Sequence, residues 1–185
     1  RFATKWDTLD IPIPEFLGTR VLEDLPLEKL LSFIDWSPFF LTWELRGKYP
    51  KILDDPKLGE AARKLFKDAQ AILDRIVQDK LLTAKGIYGF WPAGSEGDDI
   101  VIYVDDSRTK ERCRLHTLRQ QWERKGQDHF FSLADFIAPI SSGRKDYLGG
   151  FAVTAGVGCD ELSAQFDAKL DDYNSILVKA LADRL

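Results

Sequence analysis

Apolar residues recur at helical spacing early in the chain. Leu27, Leu30, Leu31 and Ile34 predict a short helix from about Pro26 to near Asp35 or Trp36. Pro38 pushes Ser37 out of the α region and should stop it there. Ser37 then caps a second helix, about Pro38 to Arg46, with Pro38 at its first position and Gly47 in its C-terminal turn. The longest periodic stretch follows. Asp55 is the expected cap and Pro56 the first residue of a helix to about Asp79. Its apolar face is Leu65, Phe66, Ala69, Ile72, Leu73 and Ile76, and that face is expected to pack on a sheet. The basic and acidic residues between them fall on the wet face.

The middle of the chain changes period. Gly86–Trp91 and Ile100–Val104 are β-branched and aromatic, and Pro92–Asp99 between them is turn chemistry, so a hairpin with a long loop is expected. Arg112–Thr117 alternates polar and apolar, as a strand with one wet face does. Leu118–Arg124 reads as a short helix. Ser132 reads as the cap of a turn of helix over Leu133–Ile137, ended by Pro139. Tyr147–Val153 reads as a central strand whose Gly149 and Gly150 allow close approach of packed side chains or of a ligand. A last helix runs from about Asp160, with Leu162, Phe166, Leu170, Tyr173, Leu177 and Leu181 as its stripe. Residues 1–24 read as an irregular linker or strap, with Ile11-Pro12-Ile13-Pro14 extended and polyproline-like; residues 25–185 form the domain. Strands lie in adjacent hairpins with helices grouped before and after. That is an α+β fold: an antiparallel sheet with flanking helices.

Composition narrows the function. The chain has 185 residues, a formal net charge of -4 and 30% charged residues, which gives no electrostatic case for nucleic acid. No apolar run reaches the roughly 18–20 residues of a membrane span, and the first residues lack the apolar core of a signal peptide. Cys113 and Cys159 have no metal-type spacing and read as reduced thiols of a cytoplasmic protein. The absence of methionine, including an initiator, suggests a piece of something longer. Gly97-Asp98-Asp99 reads as a turn rather than a metal site, and His116 as a surface residue of a wet strand. Thr154-Ala155-Gly156-Val157-Gly158 lacks the third glycine and downstream acid of a dinucleotide fingerprint.

One carboxylate stands out. Asp35 sits between Ile34 and Trp36, with Phe39, Phe40 and Trp43 close behind. Acidic residues are rarely buried without a partner, so Asp35 is either a cap at a helix junction or a group that reads a cation at a cleft.

The same stretch carries a resemblance. Ile34-Asp35-Trp36-Ser37-Pro38-Phe39-Phe40, then Thr42-Trp43 and Gly47-Lys48-Tyr49-Pro50, resembles the reactivation domain of cobalamin-dependent methionine synthase. Leu65-Phe66-Lys67-Asp68-Ala69, Gly97-Asp98-Asp99-Ile100, Leu118-Arg119-Gln120-Gln121, Leu133–Pro139 and Asp171-Asp172-Tyr173-Asn174 follow in the family's order. The resemblance runs from about Leu25 to Leu185 and implies the methionine synthase activation-domain fold. It implies a domain that binds S-adenosylmethionine and presents its methyl group for reductive methylation of cob(II)alamin. The cobalamin is held by a neighbouring module of the same polypeptide, and flavodoxin or a related flavoprotein supplies the electron. Asp35 matches the family's aspartate that contacts S-adenosylmethionine. The family's Arg-x-x-x-Gly-Tyr run, placed further toward the C-terminus, does not occur here. The chain is therefore expected to be the N-terminal two-thirds of that domain and to bind S-adenosylmethionine weakly alone. The competing expectation is a docking module for the cobalamin module and the flavoprotein, with no small-molecule site.

Overall fold

The predicted long helix is the clearest element of the computed structural model, which describes Phe2 and residues 4–185; Arg1 and Ala3, within the expected strap, lie outside the described residues. It spans Gly59–Gln78. We number the strands and helices in chain order: β1 (Gly18–Leu25), α1 (Trp36–Thr42), α2 (Gly59–Gln78), β2 (Thr83–Glu96), β3 (Asp99–Tyr103), β4 (Glu111–His116), β5 (Asp146–Val157), α3 (Cys159–Asp167) and α4 (Asp172–Ala182). The strands form one sheet in the order β1-β2-β3-β4, with β5 also paired to β2. β2–β3 and β3–β4 are antiparallel. The chain divides into two units, Arg1–Arg20 with Ile87–Phe151 and Val21–Gly86 with Ala152–Leu185.

The second unit holds the larger core. Ala62, Leu65, Ala69, Leu73 and Ile76 of α2 are buried with Phe39 and Phe40 of α1, Leu177, Val178 and Leu181 of α4, and Leu82 and Ala84 at the start of β2. The apolar stripe of α2 packs in one core with α1, α4, the 3-10 turn Lys51–Asp54 and Ala84 of β2. Phe66 and Ile72 are half-buried at the margin of the stripe. Asp55 does act at the entry to α2. Its Oδ1 accepts from the backbone N–H of Lys57 (2.8 Å) and Leu58 (2.9 Å), and the regular helix follows one turn later.

The first unit is built on the β2–β3 hairpin. The expected long loop is absent, because β2 continues through Pro92 to Glu96, which pairs with Asp99. A two-residue loop remains, with Gly97 at φ 61 in its first position, where such a turn demands a positive φ. Ala93, Ile100 and Ile102 form a second, smaller core with Ala134 and Ile137. Ser132 caps the 3-10 turn Leu133–Phe136 as expected, in a reciprocal capping box with Asp135.

Other expectations fail for local reasons. The first helix is two 3-10 turns, Leu27–Lys29 and Leu31–Phe33. Gly18–Leu25, expected to be irregular, is strand β1; six of its eight residues are exposed, so no burial pattern announced it. Leu118–Arg124 has no helix, because its backbone bonds elsewhere: Gln120 N–H donates to Phe131 O at 2.7 Å. The last helix is broken into α3 and α4 by Leu170, which takes a left-handed φ of 57. Among the described residues β5 pairs with β2 and lies off the main strand order, and its Phe151 and Val153 are 80% and 71% exposed, so it is not a central strand. Its glycines serve packing: a Cβ on Gly149 would meet the Phe90 ring at 3.0 Å.

Candidate functional site

Asp35 is the N-cap of α1. Its backbone is extended and its Oδ1 accepts from Ser37 N–H at 3.0 Å. The cap is therefore Asp35 and not Ser37, and Pro38 sits at the third helical position. A proline is tolerated there because the first turn of a helix has no intrahelical acceptor for its N–H groups. The Ser37 hydroxyl is used differently. Its Oγ accepts from Tyr49 N–H at 3.2 Å, which ties the following loop back to the start of α1.

The end of α1 makes that return possible. Glu44 takes a left-handed φ of 60, and its N–H donates to Leu41 O at 2.9 Å. Leu45 N–H donates to Phe40 O at 3.0 Å. Together these are the two bonds of a Schellman reversal. The chain turns back and brings Arg46, Gly47 and Lys48 beside Asp35, Ser37, Pro38 and Leu41 around an open cavity of about 490 Å³. Asp35 is exposed there. One wall is apolar, from Pro38 and Leu41, and the rim carries one carboxylate and two cations.

The aromatic neighbours face the other way. Trp36, Phe39 and Phe40 are buried, and Trp36 packs edge-on to Phe39 (5.2 Å between centroids) and Phe66 (4.8 Å). The aromatic residues next to Asp35 in sequence thus form the core beneath it. Arg46 and Lys48 were missed as cavity residues because only the reversal at Glu44 brings them there. Its sequence signal is weak, since a Glu occupies a position that usually holds Gly.

The remaining candidates are structural. His116 is exposed, and its Nδ1 lies 2.9 Å from Asp99 Oδ1. Asp98 joins Asp135 around the Arg119 guanidinium. No group of three or more His, Cys, Asp or Glu that could hold a metal occurs among the described residues. Cys113 is exposed, and Cys159 is half-buried at the first residue of α3, where burial pushes its thiol pKa up. A larger cavity of about 620 Å³ lies in the same unit as Asp35, with aliphatic walls from Leu22, Leu25 and Val153. It contains no residue predicted as a site. Asp160 and Asp183, both exposed, also line it, with Lys85 and Lys179.

The family model for the activation domain of vitamin B12-dependent methionine synthase matches residues 26–185. The chain belongs to this family. A solved structure agrees: the crystal structure of the MetH reactivation domain bound to AdoHcy is 48% identical to this activation domain over 99% of its length, with a TM-score of 0.92. The match takes in 56% of that solved chain. The mixed architecture of helices around an antiparallel sheet is therefore that of the reactivation domain. Among the described residues, no helix is long and apolar enough to cross a membrane.

Proposed function

We propose that this chain binds S-adenosylmethionine and presents its methyl group for reductive methylation of cob(II)alamin, as part of a cytoplasmic cobalamin-dependent methionine synthase. The observation that carries the reading is the 48% identical reactivation domain bound to AdoHcy, the molecule left when S-adenosylmethionine has given up its methyl group. Cobalamin is held by the neighbouring module of the same polypeptide in this reading, and flavodoxin or a related flavoprotein provides the electron.

The Asp35 cavity fits the amino-acid end of the ligand. That end carries an ammonium and a carboxylate, and the rim offers Asp35 to the first and Arg46 or Lys48 to the second. A carboxylate bonded to an ammonium is a charge-assisted pair, stronger than a neutral hydrogen bond. Pro38 and Leu41 give an apolar surface for the carbon chain. When bound, S-adenosylmethionine supplies an electrophilic methyl group on a positive sulfur; the residues here orient it and do no bond-making themselves.

Affinity in this chain is expected to be low. One charge-assisted bond contributes about 1.5–3 kcal/mol, whereas micromolar binding needs about 8 kcal/mol. Calorimetric titration with S-adenosylmethionine tests the reading. Saturable heat that Asp35→Asn weakens about tenfold or more supports it. Binding that Asp35→Asn leaves unchanged removes Asp35 from the site. Binding of a flavodoxin with no response to S-adenosylmethionine favours the docking-module reading instead.

A further inference from the structure

Ser37 bonds in two directions. Its backbone N–H donates to Asp35 Oδ1 at 3.0 Å, and its Oγ accepts from Tyr49 N–H at 3.2 Å. One residue thus holds the acidic edge of the Asp35 cavity with its main chain and the basic edge with its side chain. The basic segment is also seated on the core. Gly47 lies against the side chain of Ile52, which is 2% exposed: a Cβ on Gly47 would meet Ile52 Cγ1 at 2.8 Å. Ile52 N–H donates to Lys48 O at 2.9 Å.

These fastenings fix different things. The Ile52 contacts set the height of the segment above the core. The Ser37 bond sets its distance from α1, and with it from the Asp35 carboxylate. Arg46 and Lys48 are long and exposed, so the fold places their backbone and leaves their side chains to the ligand. Such side chains give up rotamer freedom when they bind, and a well-placed anchor shortens the search. The chain's net charge of -4 favours the more cationic of two ligands. A preference for a ligand with an extra carboxylate must therefore come from cations at the cavity itself.

Resting on the S-adenosylmethionine reading above, we propose that Ser37 is a positioning residue that sets the reach of Arg46 and Lys48 to the ligand's carboxylate. It thereby makes the cavity selective for an intact α-amino acid end, with an ammonium for Asp35 and a carboxylate for the basic segment.

The probes are S-adenosylmethionine and its decarboxylated form, which keeps the adenosine, the sulfonium and the ammonium and lacks the carboxylate. The readouts are the dissociation constants of both, from saturable amide shifts in ¹H–¹⁵N spectra, and the hydrogen-exchange rate of Tyr49 N–H without ligand. The unaltered chain is expected to bind S-adenosylmethionine about tenfold more tightly, the worth of a charge-assisted bond. Ser37→Ala should free Tyr49 N–H to exchange about 3- to 10-fold faster and should cut the preference to about twofold. Ser37→Thr, which keeps the hydroxyl, should restore both. A serine that served the fold alone would weaken the two ligands alike. Gly47→Ala lifts the segment off Ile52 without touching α1 and should narrow the preference too; it decides if Ser37→Ala does not fold. Equal affinity for the two ligands in the unaltered chain overturns the proposal, and the binding reading survives that result if Asp35→Asn weakens both. Unchanged Tyr49 exchange in Ser37→Ala overturns the proposal, as does faster exchange with the preference intact. No saturable shift with either ligand overturns it together with the reading it rests on.

Discussion

Arg119→Ala is expected to be among the most damaging single changes in the first unit. The guanidinium donates to Asp135 Oδ2 at 2.6 Å and Oδ1 at 2.8 Å, to Asp98 Oδ1 at 2.6 Å and Oδ2 at 3.2 Å, and to Phe130 O at 2.5 Å. The two carboxylates hold its pKa above the ordinary arginine value. The partners are not equivalent: the side chain of Asp135 is 2% exposed and that of Asp98 43%. Truncation lets Asp98 turn to water at little cost. Asp135 instead keeps its bond from Ser132 N–H and loses two charge-assisted ones while still buried. Removing one partner of a buried pair costs roughly 3–5 kcal/mol. Arg119 is itself 19% exposed, so some water can follow, and about 2–4 kcal/mol is the expected loss. Arg119→Lys supplies a point charge that cannot fork to two carboxylates, and should lose about half as much. Adding Asp135→Asn to Arg119→Ala should cost less than the sum of the singles, because the stranded charge is gone. Urea unfolding followed by far-UV circular dichroism measures each. An Arg119→Ala loss within about 0.5 kcal/mol of zero, the range of ordinary surface changes, refutes the reasoning.

Further outcomes follow from the second unit and from the thiols. Phe40 is fully buried among Phe39, Tyr49 and Phe66, so Phe40→Ala should cost about 3–5 kcal/mol in the same unfolding experiment. Burial, and after it the hydrogen bond to Asp68, push the Tyr173 pKa up to about 12, so its contribution is complete below the usual tyrosine value of about 10 and is lost as pH rises from there to 12. In an absorbance titration at alkaline pH one of the five tyrosines should ionise last, and Tyr173→Phe should remove that phase. With a disulfide reagent near neutral pH, exposed Cys113 should react fast and Cys159 at least about tenfold slower, because burial raises its pKa and blocks access. Equal rates in the native protein would contradict that placement.

Where the sequence was readable, one physical signal dominated. α2 has a long apolar stripe and a capping aspartate before it, and both survive in the structure. α1 was located but misphased, since Asp35 and Ser37 are both good caps and Pro38 is compatible with either start. β1 could not be read because it is held by backbone pairing with most side chains in water. The break between α3 and α4 has no glycine or proline, although Asp171 capping Asn174 N–H at 3.1 Å is a start signal visible in hindsight. Asp35 was legible as chemistry because a carboxylate among aromatics is unusual on its face. Arg46 and Lys48 were not, because they reach the Asp35 cavity only through the left-handed turn at Glu44.

The two readings of Asp35, cap and ligand group, are compatible in the folded chain. Capping uses Oδ1 toward Ser37 N–H, and a carboxylate has lone pairs for more than one donor. The cap fixes the side chain at the mouth of the cavity, so under the proposed function an ammonium would meet a carboxylate already held in place. Pre-orientation of that kind lowers the entropy cost of binding. The choice of substitution follows from this double role. Asparagine is as good a cap as aspartate but carries no charge, so Asp35→Asn isolates the ligand role at nearly constant stability. Alanine removes both and should also cost about 1 kcal/mol of stability. If Asp35→Asn and Asp35→Ala lower S-adenosylmethionine affinity equally while only alanine destabilises the fold, charge governs binding and the cap governs folding. If asparagine binds as well as aspartate and alanine does not, the side chain acts on the ligand only through the position of α1.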